Sequence, residues 1–172
     1  MKKIFLDIET TGLNFYRDRI TAIGYAIQDK EPTVLINENE SELVSDFVDV
    51  LCKENHKVQF QLVTWNGSNF DLGFIYVKTL LYQPKSAKLI KSFFSNNLDL
   101  KDYFPECSMS GYKRRAPSME ECLKFFNLPV KTASGFDAIY MFKFNKLEEL
   151  SNYCKNDIIA LRNIYNKIEE SL

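Results

Sequence analysis

Apolar and polar positions alternate with a period of two from Ile4 to Glu9. Ile4, Leu6 and Ile8 share one face of a predicted strand, and Phe5, Asp7 and Glu9 share the other. The polar stretch Thr10-Thr11-Gly12-Leu13-Asn14 predicts a turn, with Gly12 supplying backbone freedom. Weak alternation rich in β-branched and aromatic residues predicts a second strand over 19–28, and a third over 32–36 follows the polar turn Asp29-Lys30-Glu31. From Ser41 the spacing becomes helical, with Leu43, Phe47, Val50 and Leu51 opposite Glu42, Asp46 and Asp49, and the helix is expected to end within 53–55. The apolar run 61–65 predicts a fourth strand that stops at Asn66-Gly67. A helix over 70–82, capped by Ser68 or Asn69, carries Leu72, Ile75, Tyr76, Thr79 and Leu80 as its stripe.

Residues 83–117 have the weakest pattern: an apolar and basic segment over 89–94, then Leu98-Asp99-Leu100, then a polar loop. Such an insertion is expected to contact substrate. Ser118 and Glu121 have capping-box spacing and open a helix with Met119, Cys122, Leu123 and Phe126 inward, stopped by Pro129. The last helix, capped by Asn145 and Glu148, has the stripe Leu147, Leu150, Cys154, Ile158, Leu161, Tyr165 and Ile168.

Four acids break this pattern. Asp7 and Glu9 point the same way from a strand that otherwise reads as buried, about 6.5–7 Å apart along it. Buried without a partner they would cost several kcal/mol or take up protons. Either the strand end reaches water or the pair faces a cation. Asp71, in the first turn of its helix, has a plain reading as helix-dipole stabilisation worth about 0.3–1 kcal/mol. Asp157 lies beside the inward stripe of the last helix, one turn after Tyr153, where a salt bridge would equally account for it.

Composition narrows the class. At 172 residues the chain fits one domain, residues 1–172, and no apolar run approaches a membrane span. The start Met1-Lys2-Lys3 runs straight into the first strand without a signal-peptide pattern, so a cytoplasmic protein is expected. Cys52, Cys107, Cys122 and Cys154 are scattered, as reduced and mostly buried thiols would be. A net charge of −1 neither advertises nor excludes nucleic-acid binding, because a carboxylate site lowers the count and bound cations restore positive charge locally. Two basic stretches, Lys85 with Lys88 and Lys91, and Lys113-Arg114-Arg115 after Tyr112, are either solvated surface or phosphate contacts.

Three stretches, in order, resemble one family. Phe5-Leu6-Asp7-Ile8-Glu9-Thr10-Thr11-Gly12-Leu13 is similar to the first motif of the DEDD superfamily of 3′–5′ exonucleases, Asn66-Gly67-Ser68-Asn69-Phe70-Asp71 to the second, and Tyr153-Cys154-Lys155-Asn156-Asp157 to the third motif of its tyrosine subclass. The only histidine, His56, lies between the first helix and the fourth strand, away from the third motif, and is read as a surface residue. The resemblance implies an α/β, ribonuclease H-like fold with a central mixed five-stranded sheet flanked by helices. It implies Asp7, Glu9, Asp71 and Asp157 as ligands of two divalent ions, Mg2+ or Mn2+, and Tyr153 as the residue that orients the attacking water. Hard oxygen ligands suit these ions better than zinc.

The resemblance is to the proofreading domains of family B DNA polymerases. It implies hydrolysis from the 3′ end of single-stranded DNA, with an exoribonuclease as the near alternative and a non-catalytic nucleic-acid-binding module as the alternative from another class. It further implies that Thr10 receives the terminal nucleotide, Leu13 wedges against the last bases and Asn66 lies near the scissile end. A DNA polymerase or repair factor is the expected protein partner. Phe15, Tyr16, Phe70 and Tyr112 are candidates for stacking on bases. Lysine outnumbers arginine 17 to 5, which suits phosphate contact better than base reading, so Lys113, Arg114 and Arg115 are expected to bind the backbone.

Overall fold

Five strands form one mixed sheet in the computed structural model, in the order β3-β2-β1-β4-β5. The structure describes residues 1–57, 59–106, 115–130 and 135–171, except the side chains of His56, Lys57 and Phe136. The central strand β1 (Lys2–Thr10) runs antiparallel to β2 (Ile20–Ile27) and parallel to β4 (Phe60–Thr64). At the edges, β3 (Thr33–Ile36) is antiparallel to β2, and β5 (Asn97–Asp99) is parallel to β4. The fold is therefore α/β, a central mixed five-stranded sheet flanked by helices, as expected.

The two faces of β1 belong to different cores. Ile4, Leu6 and Ile8 pack with Phe47 and Leu51 of α1 (Glu40–Lys57), Leu72 and Ile75 of α2 (Asp71–Tyr82), and Ile90 and Phe93 of α3 (Ala87–Phe94). Phe5 packs with Leu123 of α4 (Met119–Phe125) and with Ile158 and Leu161 of α6 (Leu147–Glu169). A third cluster joins Ala22 of β2 to Ala138 of α5 (Gly135–Lys143) and to Leu150 and Cys154 of α6. Alternation thus sends Asp7 and Glu9 to the face that α6 covers.

Several helix ends differ from the sequence expectation. α1 runs on to Lys57 and starts at Glu40, whose carboxylate accepts the Ile20 N–H and the Tyr82 hydroxyl, each at 2.7 Å. Neither Ser68 nor Asn69 caps α2; the Ser68 N–H goes to Asp99 and the Asn69 side chain to Asn66. α6 is preceded by Lys146 without a side-chain cap, and Asn145, at φ 54°, closes the turn after α5 instead. The capping box is present: Ser118 Oγ accepts the Glu121 N–H, and Glu121 Oε2 accepts the Ser118 N–H.

Residues 83–106 contribute α3, the fifth strand and a 3-10 turn at Leu100–Tyr103. Gly12 lies outside the left-handed region. Its requirement is space, because a Cβ there would stand 2.4 Å from the Asp18 carboxylate that accepts the Asn14 N–H. Cys52, Cys122 and Cys154 are free thiols, and Cys107 lies outside the described residues. Among the described residues no helix is long and apolar enough to cross a membrane.

Candidate active site

The parallel strands β1, β4 and β5 end on the same side of the sheet, the usual place for a ligand crevice in an open α/β sheet. Asp7 and Glu9 come from the last part of β1, and Asp157 comes down from α6. One carboxylate oxygen from each lies within 4.8 Å of the other two. Asp157 is 2% exposed and Glu9 8%.

What allows α6 this approach is Gly24, the cross-strand neighbour of Asp7. A Cβ at Gly24 would sit 3.1 Å from Ile158 Cγ1 and 3.4 Å from the Cys154 carbonyl oxygen, so a hydrogen in its place lets the helix lie on the sheet.

Asp71 takes a different place. The β1–β4 ladder stops at the pair Phe5 and Val63, and β4 then turns away at Asn66, which stands at φ 61°. Beyond that point the edge of β1 has no strand beside it among the described residues. Asp71 Oδ1 covers it by accepting the Ile8 N–H at 3.0 Å. Burial pushes the Asp71 carboxyl up to about 7; its own and the Ile8 N–H groups oppose the shift, and the Asp99 charge adds to it. The structure therefore gathers three of the four expected acids. It docks the fourth on the backbone between two of them.

Tyr153 is 7% exposed beside Asp157. Burial first, and then the charges of Asp157, Glu9 and Asp7, raise its hydroxyl far above the usual phenol range. It is a neutral hydrogen-bond donor, not a base. The neighbouring Cys154 thiol is raised by the same causes.

The other expected residues divide. Thr10 is buried and donates to the Gly12 carbonyl at 2.6 Å, while Leu13 is 82% exposed on the loop after β1. Asn66 lines a cavity of about 610 Å³ together with Asp7, Trp65, Lys101 and Met119. Phe70 packs edge-on against Phe15 and Phe74, so Phe70 and Phe15 belong to an aromatic cluster at α2. Arg115 lines the same cavity and makes two 2.7 Å bonds to Glu121, whose carboxyl it holds down at about 2. Tyr112, Lys113 and Arg114 lie outside the described residues. Lys85, Lys88 and Lys91 are exposed on the α3 side of the sheet, the layer opposite the acidic cluster.

Three residues escaped the sequence reading: Gly24, Asp99 and Lys101. Asp99, between Leu98 and Leu100 at a strand end, carries the same signal that singled out Asp7.

The donor set fits a divalent metal. Three carboxylates converge, the oxygens are hard ligands, and Asp157 Oδ1 is a buried oxygen that accepts no hydrogen bond among the described residues, while Tyr153 bonds to the same carboxylate. At an effective dielectric near 20, like charges about 4 Å apart repel by about 4 kcal/mol, so a cation relieves a real cost.

A family model of the RNase H superfamily matches residues 4–169. The chain belongs to the RNase H superfamily. It is 30% identical over 130 residues to an uncharacterized protein of Methanocaldococcus jannaschii, covering 76% of this chain and 69% of that protein. Among solved structures it is similar to the family B DNA polymerase of the archaeon Pyrobaculum calidifontis, with a TM-score of 0.73 and 15% identity over 98% of this chain and 24% of the polymerase. It also resembles Escherichia coli exonuclease I in complex with a dT13 oligonucleotide, with a TM-score of 0.58 and 14% identity over 87% of this chain and 41% of that one. The chain thus spans about a quarter of the polymerase and under half of exonuclease I. At such identities these likenesses establish the shared fold.

Proposed function

We propose that this RNase H superfamily protein is a metal-dependent 3′–5′ exonuclease of the tyrosine subclass, acting on single-stranded DNA. The observation that carries the reading is the convergence of Asp7, Glu9 and Asp157 within 4.8 Å, with Tyr153 one turn away on the same helix. Asp7, Glu9 and Asp157 would hold the cations. Bound Mg2+ or Mn2+ would make a hydroxide-like nucleophile available at neutral pH and neutralise the departing 3′ oxygen. Tyr153 gives its hydroxyl hydrogen to Asp157 and would orient the attacking water through its oxygen, which accepts from that water.

Asp71 holds the strand segment that carries both Asp7 and Glu9, by accepting the N–H of the residue between them. A cation nearby favours its ionised form. Thr10, Leu13 and Asn66 would receive the strand end, and the likeness to exonuclease I supports a nucleic-acid strand as substrate. Partnership with a DNA polymerase or a repair factor is suggested by the likeness to the polymerase.

Incubation with 5′-labelled and 3′-labelled single-stranded DNA and RNA, in Mg2+, Mn2+ or chelator, tests the reading. A ladder shortened from the 3′ end of DNA, absent in chelator, is expected. Preferred degradation of RNA would replace the substrate, and internal cleavage would overturn the exonuclease assignment.

A further inference from the structure

Lys101 combines three properties that ordinary surface lysines lack. It is half-buried in the 3-10 turn after β5, and it lines the same cavity as Asp7. Its ammonium makes no ion pair among the described residues and is held instead by a neutral acceptor, Asn66 Oδ1, at 3.1 Å. Partly desolvating an ammonium without a counter-anion is costly, so the position suits an anion brought by a ligand.

The partner amide is oriented by the same contact. A lysine ammonium only donates, so the Asn66 atom facing it is the oxygen, and that oxygen also accepts from Asn69 Nδ2 at 3.3 Å. The Asn66 Nδ2 is left as a second donor beside the ammonium.

Asp99 ties both residues down. Its Oδ1 accepts the Asn66 N–H at 2.6 Å and the Lys101 N–H at 3.3 Å, and its Oδ2 accepts the Ser68 N–H at 3.0 Å. One buried carboxylate thereby fixes the β4–α2 turn, with Asn66 at φ 61°, against the turn that carries Lys101. Preorganised donors lose little freedom on binding.

A second cavity of about 430 Å³, lined by Asn66, Lys101, Asp102, Phe104, Glu106 and Arg115, shares Asn66, Lys101 and Arg115 with the cavity that Asp7 lines. Arg115 is already neutralised by Glu121. Among the described residues that line both cavities, Lys101 is the cation without an ion pair.

We propose that Lys101 and the Asn66 amide form a phosphate subsite that grips the nucleic-acid strand one phosphate upstream of the bond being cut, with Asp99 as its positioning residue. The inference rests on the nuclease reading of the acidic cluster. A contact made equally before and during the reaction lowers KM and leaves turnover to the acids. One phosphate contact on a single strand also adds about 0.7 to the slope of log affinity against log salt.

The test is binding of a fluorescent single-stranded oligonucleotide to Asp157→Asn and to Asp157→Asn with Lys101→Gln, across a salt series, alongside KM and kcat of the corresponding active proteins. The expected result is about tenfold weaker binding, a salt slope smaller by about 0.7, and a loss that falls on KM. Lys101→Arg should restore the salt slope, and Lys88→Gln on α3 should bind like its parent. Asp99→Asn, with folding verified by circular dichroism, should weaken binding in the same direction. Unchanged affinity and salt slope in Lys101→Gln would overturn the subsite. A loss confined to kcat would also overturn it, because that would place Lys101 at the scissile phosphate. Strand binding without hydrolysis by the wild type would overturn the nuclease reading alone, whereas failure of the Asp157→Asn parent to bind would overturn both.

Discussion

Tyr153 and Asp71 show how burial assigns roles that residue type leaves open. The Tyr153 hydroxyl stays protonated at any working pH, because its phenolate would be buried among three carboxylates. Tyr153→Phe should therefore lower kcat about tenfold, the worth of one oriented hydrogen bond, while Mn2+ affinity holds; an unchanged kcat would remove its water-orienting role. Asp71 predicts a pH effect with a definite sign. Its carboxyl is raised from 3.8 when unfolded to about 7 when folded, so the native state binds the extra proton between those values. The stability gained from protonated Asp71 is fully present below about 3.8 and is lost as pH rises through about 7. In chelator, the wild-type thermal midpoint should fall relative to that of Asp71→Asn as pH rises from 5 to 8, by an amount worth a few kcal/mol. Parallel profiles would contradict the burial account. The Asp71 shift was not legible from the sequence, where Asp71 reads equally well as a helix-dipole residue.

At the scale of elements, the site depends on how closely α6 approaches β2. Gly24→Ala should cost about 1–3 kcal/mol in denaturant unfolding, as overpacking does, and should lower activity by lifting Asp157 from Asp7 and Glu9. A stable Gly24→Ala protein with full activity would show that the helix has room to spare. The two-fold alternation of β1 was legible because one face had to be apolar, and it placed Asp7 and Glu9 on the correct side. The Ser118 capping box was legible because both partners lie within one turn. The start of α2 was legible to one residue but its cap was not, because the β4–α2 turn is held by Asp99, a residue 31 positions after Ser68, and not by a local cap. The fifth strand, only Asn97–Asp99, is too short to show alternation. Its pairing with β4 is a tertiary fact.

For the molecule as a whole, a sheet with a parallel half opens its strand ends where β1 and β4 part, and β1, α6 and the turn after β5 bring acids, tyrosine and lysine to that crevice. The order of the three motifs carried the fold class into view, since each contributes one wall. Their convergence in space required the folded chain. The central claim is that Asp7, Glu9 and Asp157 form a divalent-cation site. Calorimetric titration of the chelator-treated protein with Mn2+ tests it most directly, comparing the wild type with Asp157→Asn, which keeps the side-chain shape and removes the charge. Saturable binding by the wild type and its loss in a folded Asp157→Asn protein is the predicted result. Equal Mn2+ binding by the two proteins, or none by the wild type, would contradict the account.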